Sequence, residues 1–421
     1  MVDRAGSMTY AELREASARA ARRLRALGVR EGERVATTLA PGRDFAELLH
    51  ALPLVGASLV PLNTRLTAGE RSWQLRHCGA RLVVEEPLDG EEGDAAPGRA
   101  LDPSAEWALI FTSGTSGVPR PVSLSHTNFA ASAFSSAWNL GVDPGDRWLC
   151  VLPLFHVGGL SILTRSAIYG TAAVIHESFE VERVRDALES GEVTLASLVP
   201  TMLRRLVGAG FERAPALRAA LLGGGPVPHD LLDWAAARDL PLLQTYGMTE
   251  TCSQIATLAA AEAASMAGSA GRPLPNVVLS ISDEGEILVR GPMVALGALA
   301  GDGWLHTGDR GRLDGDGYLW VDGRLKDVIV SGGENVDCAE VERVLERHPA
   351  VVEAAVVGVP DPEWGELVTA YVVLANGVGD DELIAHCRRQ LAAYKAPRRL
   401  HRVSELPRNA AGKLLRSQLT L

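Results

Sequence analysis

Between residues 107 and 247 the chain keeps returning to one unit, a short apolar run followed by a longer stretch of helical periodicity. "WALIF", "RWLCVLP", "VTLASLVP", "LRAALLGG" and "PLLQTYG" are apolar runs; "FHVGGLSILTRSAIYG", "TMLRRLVGAG" and "HDLLDWAAARDL" are helical stretches between them. Runs without polar alternation bury both faces, and a helix between successive strands makes them parallel. The pattern predicts an α/β fold with doubly wound sheets. In such folds the loops after the C-terminal ends of the strands bind ligands, so function is to be sought there.

Ahead of this region, "TYAELREASARAARRLRALG" predicts a helix. Thr9 is its N-cap with Glu12 at capping-box distance, Leu13, Ala16, Ala20, Leu24 and Leu27 recur at helical spacing, and Gly28 ends it. "RVATTLA" reads as a strand and "FAELLHALPLVGASLVPL" as a helix leading into a strand. Residues 85–103, acidic with Gly and Pro, read as a surface loop. After about residue 275 the character changes. "GEILVRG" and "GYLWVDGR" are strands joined by Gly/Asp turns, and a Glu-rich helix begins near Asp337. "AVVEAAVVGVP", "LVTAYVVLA" and "DELIAHCRRQLAAY" then complete a small α+β unit. The expected division is a large N-terminal domain, 1–323, and a small C-terminal domain, 324–421.

A length of 421 residues accommodates these two domains, and a net charge of −11 argues against a nucleic-acid-binding surface. No uncharged apolar stretch reaches the roughly 18 residues needed to span a membrane. The first residues, "MVDRAGSMTY", lack the basic and apolar segments of a signal peptide. Five scattered cysteines without a C-x-x-C suit reduced thiols better than a disulfide frame or a zinc site. The expectation is a soluble cytoplasmic protein, with a homodimer as the default assembly.

"FTSGTSGVPR" (111–120) crowds hydroxyls and small residues directly behind a strand, the composition of an anion-holding loop. It is not the G-x-x-x-x-G-K-[ST] phosphate loop, because no Lys follows Gly117 and Arg120 is the nearby cation. Four further polar, Gly-rich segments follow: "LLGGGP" (221–226), "QTYGMTET" (244–251), "HTGD" (306–309) with "VDGRLKD" (321–327), and "NAAGK" (409–413). Each alone is more often a turn than a site; the five in this order carry more weight.

In that order they resemble the AMP-forming acyl-CoA synthetases, adenylating ligases that include luciferases and peptide-synthetase adenylation domains. The family's signature loop reads approximately [ST]-S-G-[ST]-[ST]-G-x-P-K-G-V, and "TSGTSGVPRPV" matches it except at Arg120 and Pro121. The resemblance runs from "TYAEL" to the end of the chain. It implies a large adenylate-forming domain with a small mobile domain, and ATP, Mg²⁺ and CoA as co-substrates and cofactor. It implies that Thr112, Ser113, Gly114, Thr115, Ser116, Gly117 and Arg120 hold the β- and γ-phosphates of ATP, which leave as pyrophosphate. Gly224 joins the nucleotide site, Tyr246 stacks on adenine, and Thr249 bonds the α-phosphate. Glu250 is a hard oxygen ligand for Mg²⁺. Asp309 takes the ribose hydroxyls with Arg324 beside it. Lys413 supplies the cation between attacking carboxylate and α-phosphate. Lys326 is the hinge, Gly332 and Gly333 make room for the pantetheine arm of CoA, and His156 lies between the acyl pocket and the thiol's path. No protein nucleophile is required.

Within the family, "LPLFHVGGLSIL", "LLGGGPVP" and "YGMTETCSQIATL" look like the 2-succinylbenzoate–CoA ligases of bacterial menaquinone synthesis. Such an enzyme activates the aliphatic carboxylate of an aromatic dicarboxylic acid. The spare ring carboxylate needs a cationic or hydroxyl-rich partner, for which Arg205, Ser253 and Gln254 are the candidates. The alternatives are a CoA ligase for another aryl or medium-chain acid, and a stand-alone adenylation domain that loads a carrier protein.

Overall fold

The computed structural model describes residues 1–94, 101–112, 119–325, 328–331, 334–362, 364–408 and 414–419. Two compact units are present: Met1–Val278 with Val289–Leu305, and Leu279–Leu288 with His306–Leu421.

The first unit holds two sheets. Nine strands make the larger: β1 (Val2–Asp3), β2 (Gly6–Ser7), β8 (Arg147–Cys150), β9 (Ala172–Ile175), β10 (Leu195–Leu198), β11 (Ala219–Leu222), β12 (Leu242–Met248), β13 (Ser253–Thr257) and β14 (Arg272–Pro273). Their order is β14-β13-β12-β11-β10-β8-β9-β1-β2. From β9 to β12 neighbouring strands are parallel, whereas β13 and β14 run antiparallel at one end. The smaller sheet contains β3 (Arg34–Thr37), β4 (Ser58–Pro61), β5 (Ala80–Val84), β6 (Glu106–Thr112) and β7 (Arg120–Ser125), in the order β5-β3-β4-β6-β7. Only β7 is antiparallel there, pairing with β6.

A helix follows each strand of the parallel run except β12. They are α5 (Val157–Tyr169) after β8, α6 (Val181–Glu189) after β9, α7 (Pro200–Gly208) after β10 and α8 (His229–Ala236) after β11. The apolar sides of α6, α7 and α8 meet the sheet in a core that includes Leu149, Val184, Leu198, Leu206 and Leu222. Each leucine so buried contributes about 1.5–3 kcal/mol relative to an exposed one. The expected α/β class is thus present in both sheets.

Near the N-terminus, α1 (Tyr10–Ala26) begins with the foreseen capping box between Thr9 and Glu12. Leu13, Ala16, Ala20 and Leu24 are buried, while Leu27 lies past the last turn and is 50% exposed. α2 (Arg43–Val55) carries Pro53 within its last turn. The helix α3 (Ala68–Cys78) has a second capping box, Thr67 with Glu70, that sequence reading passed over. α4 (His126–Leu140) completes the helices of this unit.

In the second unit β17 (Leu305–Leu313) pairs antiparallel with β18 (Leu319–Arg324), and β15 (Val278–Ile281) and β16 (Glu286–Arg290) extend that sheet. A further sheet holds β19 (Val328–Ser331), β20 (Glu334–Asp337), β21 (Val351–Asp361), β22 (Gly365–Leu374) and β23 (Arg399–Arg402). α9 (Cys338–Glu346) packs Val341, Val344 and Leu345 into its core, which Leu383 and Cys387 of α10 (Asp380–Gln390) also join. Asp337 caps α9 by accepting from the N–H groups of Ala339 and Glu340.

Candidate active site

Parallel register brings the ends of three strands level. Leu198 of β10 is opposite Leu222 of β11, which is opposite Gln244 of β12. The segments that follow, beginning at Val199, Gly223 and Thr245, therefore emerge together. Gly223 lies so close to β12 that a Cβ there would be 2.7 Å from the Thr245 carbonyl oxygen, and Gly224 has φ +80°. That the loop is built from glycine is explained by the approach and the left-handed backbone.

From Thr245 the chain makes a tight hairpin through Tyr246, Gly247, Met248 and the short turn Thr249–Thr251 into β13. The register slips by a bulge between Tyr246 and Gly247. Gly247 meets the returning strand at a separation no side chain tolerates: a Cβ would stand 1.7 Å from the Ser253 carbonyl oxygen. Cys252 and Ser253, neither a glycine, have φ of +49° and +95°. Such backbone is costly and persists where surrounding bonds over-determine it. Here the Thr251 hydroxyl accepts from the Met248 N–H at 3.0 Å and reaches the Met248 and Ser253 carbonyls at 3.0 and 2.9 Å. The Ser132 hydroxyl of α4 donates to the Cys252 carbonyl at 2.7 Å.

The turn holds Thr249 and Glu250 half-buried, with Tyr246 half-buried before them. Glu250 is anchored by its backbone carbonyl, which accepts from Ala295 N–H at 2.9 Å. Its carboxylate has no partner among the described residues. Among those residues no cluster of three His, Cys, Asp or Glu could hold a metal. A single free carboxylate fits Mg²⁺ that is held mainly by phosphate oxygens and water.

Ser253 is half-buried, and Gln254 is buried with its amide oxygen on Arg165 of α5 at 2.9 Å. Arg205 is the third acyl-side candidate. It is exposed in the last turn of α7, its guanidinium 5.1 Å from the centre of the Phe179 ring.

His156 is the N-cap of α5, and its backbone carbonyl accepts from Gly159 and Leu160. A Cβ at Gly159 would meet the Pro153 carbonyl at 2.4 Å, so glycine lets the chain fold back onto the helix. The His156 Nε2 is buried without a partner, and burial pushes the imidazole down to about 4. The ring is neutral near pH 7.

Of the opening loop, Thr112 and Arg120 are described. They are paired across β6 and β7, the Thr112 hydroxyl donating to the Arg120 carbonyl at 3.3 Å, and Arg120 is exposed. Ser113, Gly114, Thr115, Ser116 and Gly117 lie outside the described residues, as do Lys326, Gly332, Gly333 and Lys413.

In the second unit Asp309 and Arg324, fifteen positions apart in sequence, are opposite each other across β17 and β18. The Arg324 Nε is 2.6 Å from Asp309 Oδ1, and Asp309 is 6% exposed. The turn before them is closed by the Thr307 hydroxyl, which donates to the Ile287 carbonyl at 2.7 Å and accepts from the Asp309 N–H at 3.0 Å. Gly308, at φ +69°, takes the left-handed position. A carboxylate held in place by a guanidinium is suited to accepting hydrogen bonds from a vicinal diol.

These features are those of an adenylate-forming ligase, and the comparisons agree. The AMP-binding enzyme family matches residues 1–299 and the AMP-binding enzyme C-terminal domain matches residues 340–413. The chain belongs to this family of acyl-CoA synthetases. The 2-succinylbenzoate–CoA ligase of Bacillus licheniformis is 42% identical over 98% of this chain and 94% of its own length. That of Geobacillus kaustophilus is 43% identical over 98% and 92%. Among solved structures, o-succinylbenzoate CoA synthetase (MenE) from Bacillus subtilis in complex with the acyl-adenylate intermediate OSB-AMP matches with a TM-score of 0.91 and 40% identity, covering 99% of this chain and 94% of that one. The same enzyme in complex with ATP and magnesium ion matches with a TM-score of 0.92, 39% identity and coverage of 99% and 95%. ATP-bound MatB from Rhodopseudomonas palustris, at 26% identity, has a TM-score of 0.91 with coverage of 99% and 94%. Among the described residues no helix is long and apolar enough to cross a membrane.

Proposed function

We propose that this chain is an ATP-dependent 2-succinylbenzoate–CoA ligase of menaquinone synthesis. The observation that carries the reading is 42% identity to a ligase of that name across 98% of the chain. In the first step the substrate's aliphatic carboxylate attacks the α-phosphorus of ATP, the bond to the β-phosphate breaks, and pyrophosphate leaves. In the second the CoA thiol, giving up its proton, attacks the acyl carbonyl and AMP leaves.

Tyr246 provides a face for adenine and Thr249 a hydroxyl for the α-phosphate. Thr112, Ser113, Gly114, Thr115, Ser116, Gly117 and Arg120 cradle the phosphates that depart, with Gly224 lining the nucleotide site. Mg²⁺, taken by Glu250, would neutralise phosphate charge as it moves onto the leaving group. Asp309, fixed by Arg324, accepts from the ribose hydroxyls. Lys413 places an ammonium between two anions that would otherwise repel. The domain comprising 324–421 pivots near Lys326, so that Gly332 and Gly333 admit pantetheine in the second step. His156, neutral and with its Nε2 unpartnered, lets the thiol approach without bringing a competing charge. Ser253 and Gln254 face the acyl group.

The working form is a cytoplasmic homodimer, a reading that rests on five buried, free cysteines and on the prevalence of two-fold assemblies. The test is pyrophosphate release with ATP, Mg²⁺ and CoA, comparing 2-succinylbenzoate with benzoate, 4-hydroxybenzoate and octanoate. Turnover confined to 2-succinylbenzoate, with its CoA thioester as product, is expected. Preference for another acid would discard the substrate assignment while keeping the two-step chemistry.

A further inference from the structure

The residues on either side of 409–413 are fastened to one another. Arg408 and Leu414 form an antiparallel bridge, and the Leu415 N–H donates to the Pro407 carbonyl at 2.8 Å. Both flanks are then fastened to β21. Leu406 and Leu419 are buried with Ala355 and Val357 of that strand, and Leu414 packs against the same cluster. The Arg408 Nη2 is 3.1 Å from Glu353 Oε2. Arg416, three positions after Lys413, reaches instead to α9, where its Nη2 donates to the two carboxylate oxygens of Glu342 at 2.7 and 2.8 Å.

Strand β21 ends its sheet, so alternate N–H groups along it face away from β22. Glu342 accepts from one of them, the Val356 N–H, at 2.7 Å, and Glu346, a turn further along α9, accepts from the Ala354 N–H at 3.3 Å. The Glu342 carboxylate thus joins a helix, a strand edge and the segment that follows Lys413. Its side chain is 12% exposed and that of Arg416 23%. Burial pushes the Glu342 carboxyl up to about 7, with Glu346 adding to the rise, against the pull of Arg416 and the Val356 N–H. Desolvation therefore outweighs what the ion pair returns, and the pair is a poor source of stability. What it supplies is direction, because a charged hydrogen-bonded pair tolerates fewer geometries than an apolar contact.

We propose that Glu342 is a positioning residue for the first half-reaction: through Arg416 it sets the place of the chain directly after Lys413, and with it the reach of the ammonium toward the α-phosphate. The inference rests on the reading of Lys413 above. The second half-reaction does not use the lysine, and this separates two roles. A tie that only holds the domain together serves both steps alike, whereas a tie that aims the lysine serves the first.

The test reads both steps on one preparation, so that their ratio does not depend on the fraction folded. ATP–pyrophosphate exchange with 2-succinylbenzoate reports the first, and CoA thioester formation from supplied acyl-adenylate the second. Wild type is compared with Glu342→Gln, Arg416→Met, Arg416→Lys and the double variant Glu342→Gln/Arg416→Met. Each neutral single variant should lower exchange by at least about tenfold, since misplacement of about 1 Å costs roughly 100-fold, with thioester formation within a few-fold of wild type. One nitrogen makes both contacts to Glu342, so the ammonium of Arg416→Lys can replace it and should recover most of the exchange. The double variant should be no worse than the poorer single, because the two side chains act as a unit. A parallel fall in both steps, unchanged exchange in the neutral variants, or additive losses in the double would overturn the proposal. Exchange that survives in Lys413→Ala would remove the lysine reading itself, and the proposal with it.

Discussion

Gly247→Ala is the sharpest single perturbation of the hairpin that carries Thr249 and Glu250. The added methyl carbon would stand 1.7 Å from the Ser253 carbonyl oxygen, 2.6 Å from its carbon and 2.9 Å from the Gln254 Cα. Ordinary contact begins at 3.4 Å, so β12 and β13 must separate by about 1.7 Å, the difference between 3.4 and 1.7 Å. All three obstacles are main chain, and no rotamer change relieves them. That opening would break the Thr251 bonds across the turn and move Glu250 by a similar amount. Misplacement of about 1 Å costs roughly 100-fold in rate, so ATP–pyrophosphate exchange should fall by at least that factor. The strain should also cost about 1–3 kcal/mol of stability. Gly297→Ala is the control, since nothing lies within 4 Å of its Cβ position. The assay is ATP–pyrophosphate exchange with 2-succinylbenzoate, run beside thermal unfolding by circular dichroism. Gly247→Ala with more than half the wild-type exchange and an unchanged Tm would refute the reasoning.

Three further outcomes are expected. Lys413→Ala should lower adenylation by about 100-fold or more, while thioester formation from supplied acyl-adenylate stays within a few-fold of wild type; rapid-quench assay of each half-reaction checks this. Asp309→Ala removes the acceptor for two ribose hydroxyls and leaves Arg324 without its carboxylate, so KM for ATP should rise at least about tenfold in steady-state titration. His50 and His156 are both pushed down to about 4 by burial, from an ordinary value of 6.5. The unfolded chain therefore binds protons that the folded one refuses, and stability present above pH 6.5 is lost as pH falls toward 4, by roughly 3 kcal/mol for each histidine. Urea unfolding at a series of pH values should show that fall, and His156→Gln should flatten it by about half.

Much of this protein was legible in one dimension because its signals are local. Strand–helix alternation follows from the two periodicities of burial, and it placed β6, β8, β10, β11 and β12 with the helices between them. The Thr9–Glu12 capping box marked the start of α1, and the same spacing at Thr67–Glu70 marks α3, where the weakly patterned "AGERSWQLRHC" concealed the helix. Gly-rich loops at strand ends pointed to Gly224, Tyr246, Thr249 and Glu250 because a parallel sheet sends its loops to one edge.

Tertiary structure decided the pairings between residues far apart in the chain. The resemblance set Arg324 beside Asp309, and it is strand register that puts the two opposite each other. Arg165 and Gln254 are separated by 89 positions, and only the packing of α5 against β13 makes the first the partner of the second. Reading one dimension singled out the arginine on α7 and passed over the one on α5. Burial separates them, since Arg205 is exposed and Arg165 is at 3%. Composition and spacing thus determined which elements form and which loops follow the strand ends. Which charges lie buried and which stay in solvent was decided only by the folded core.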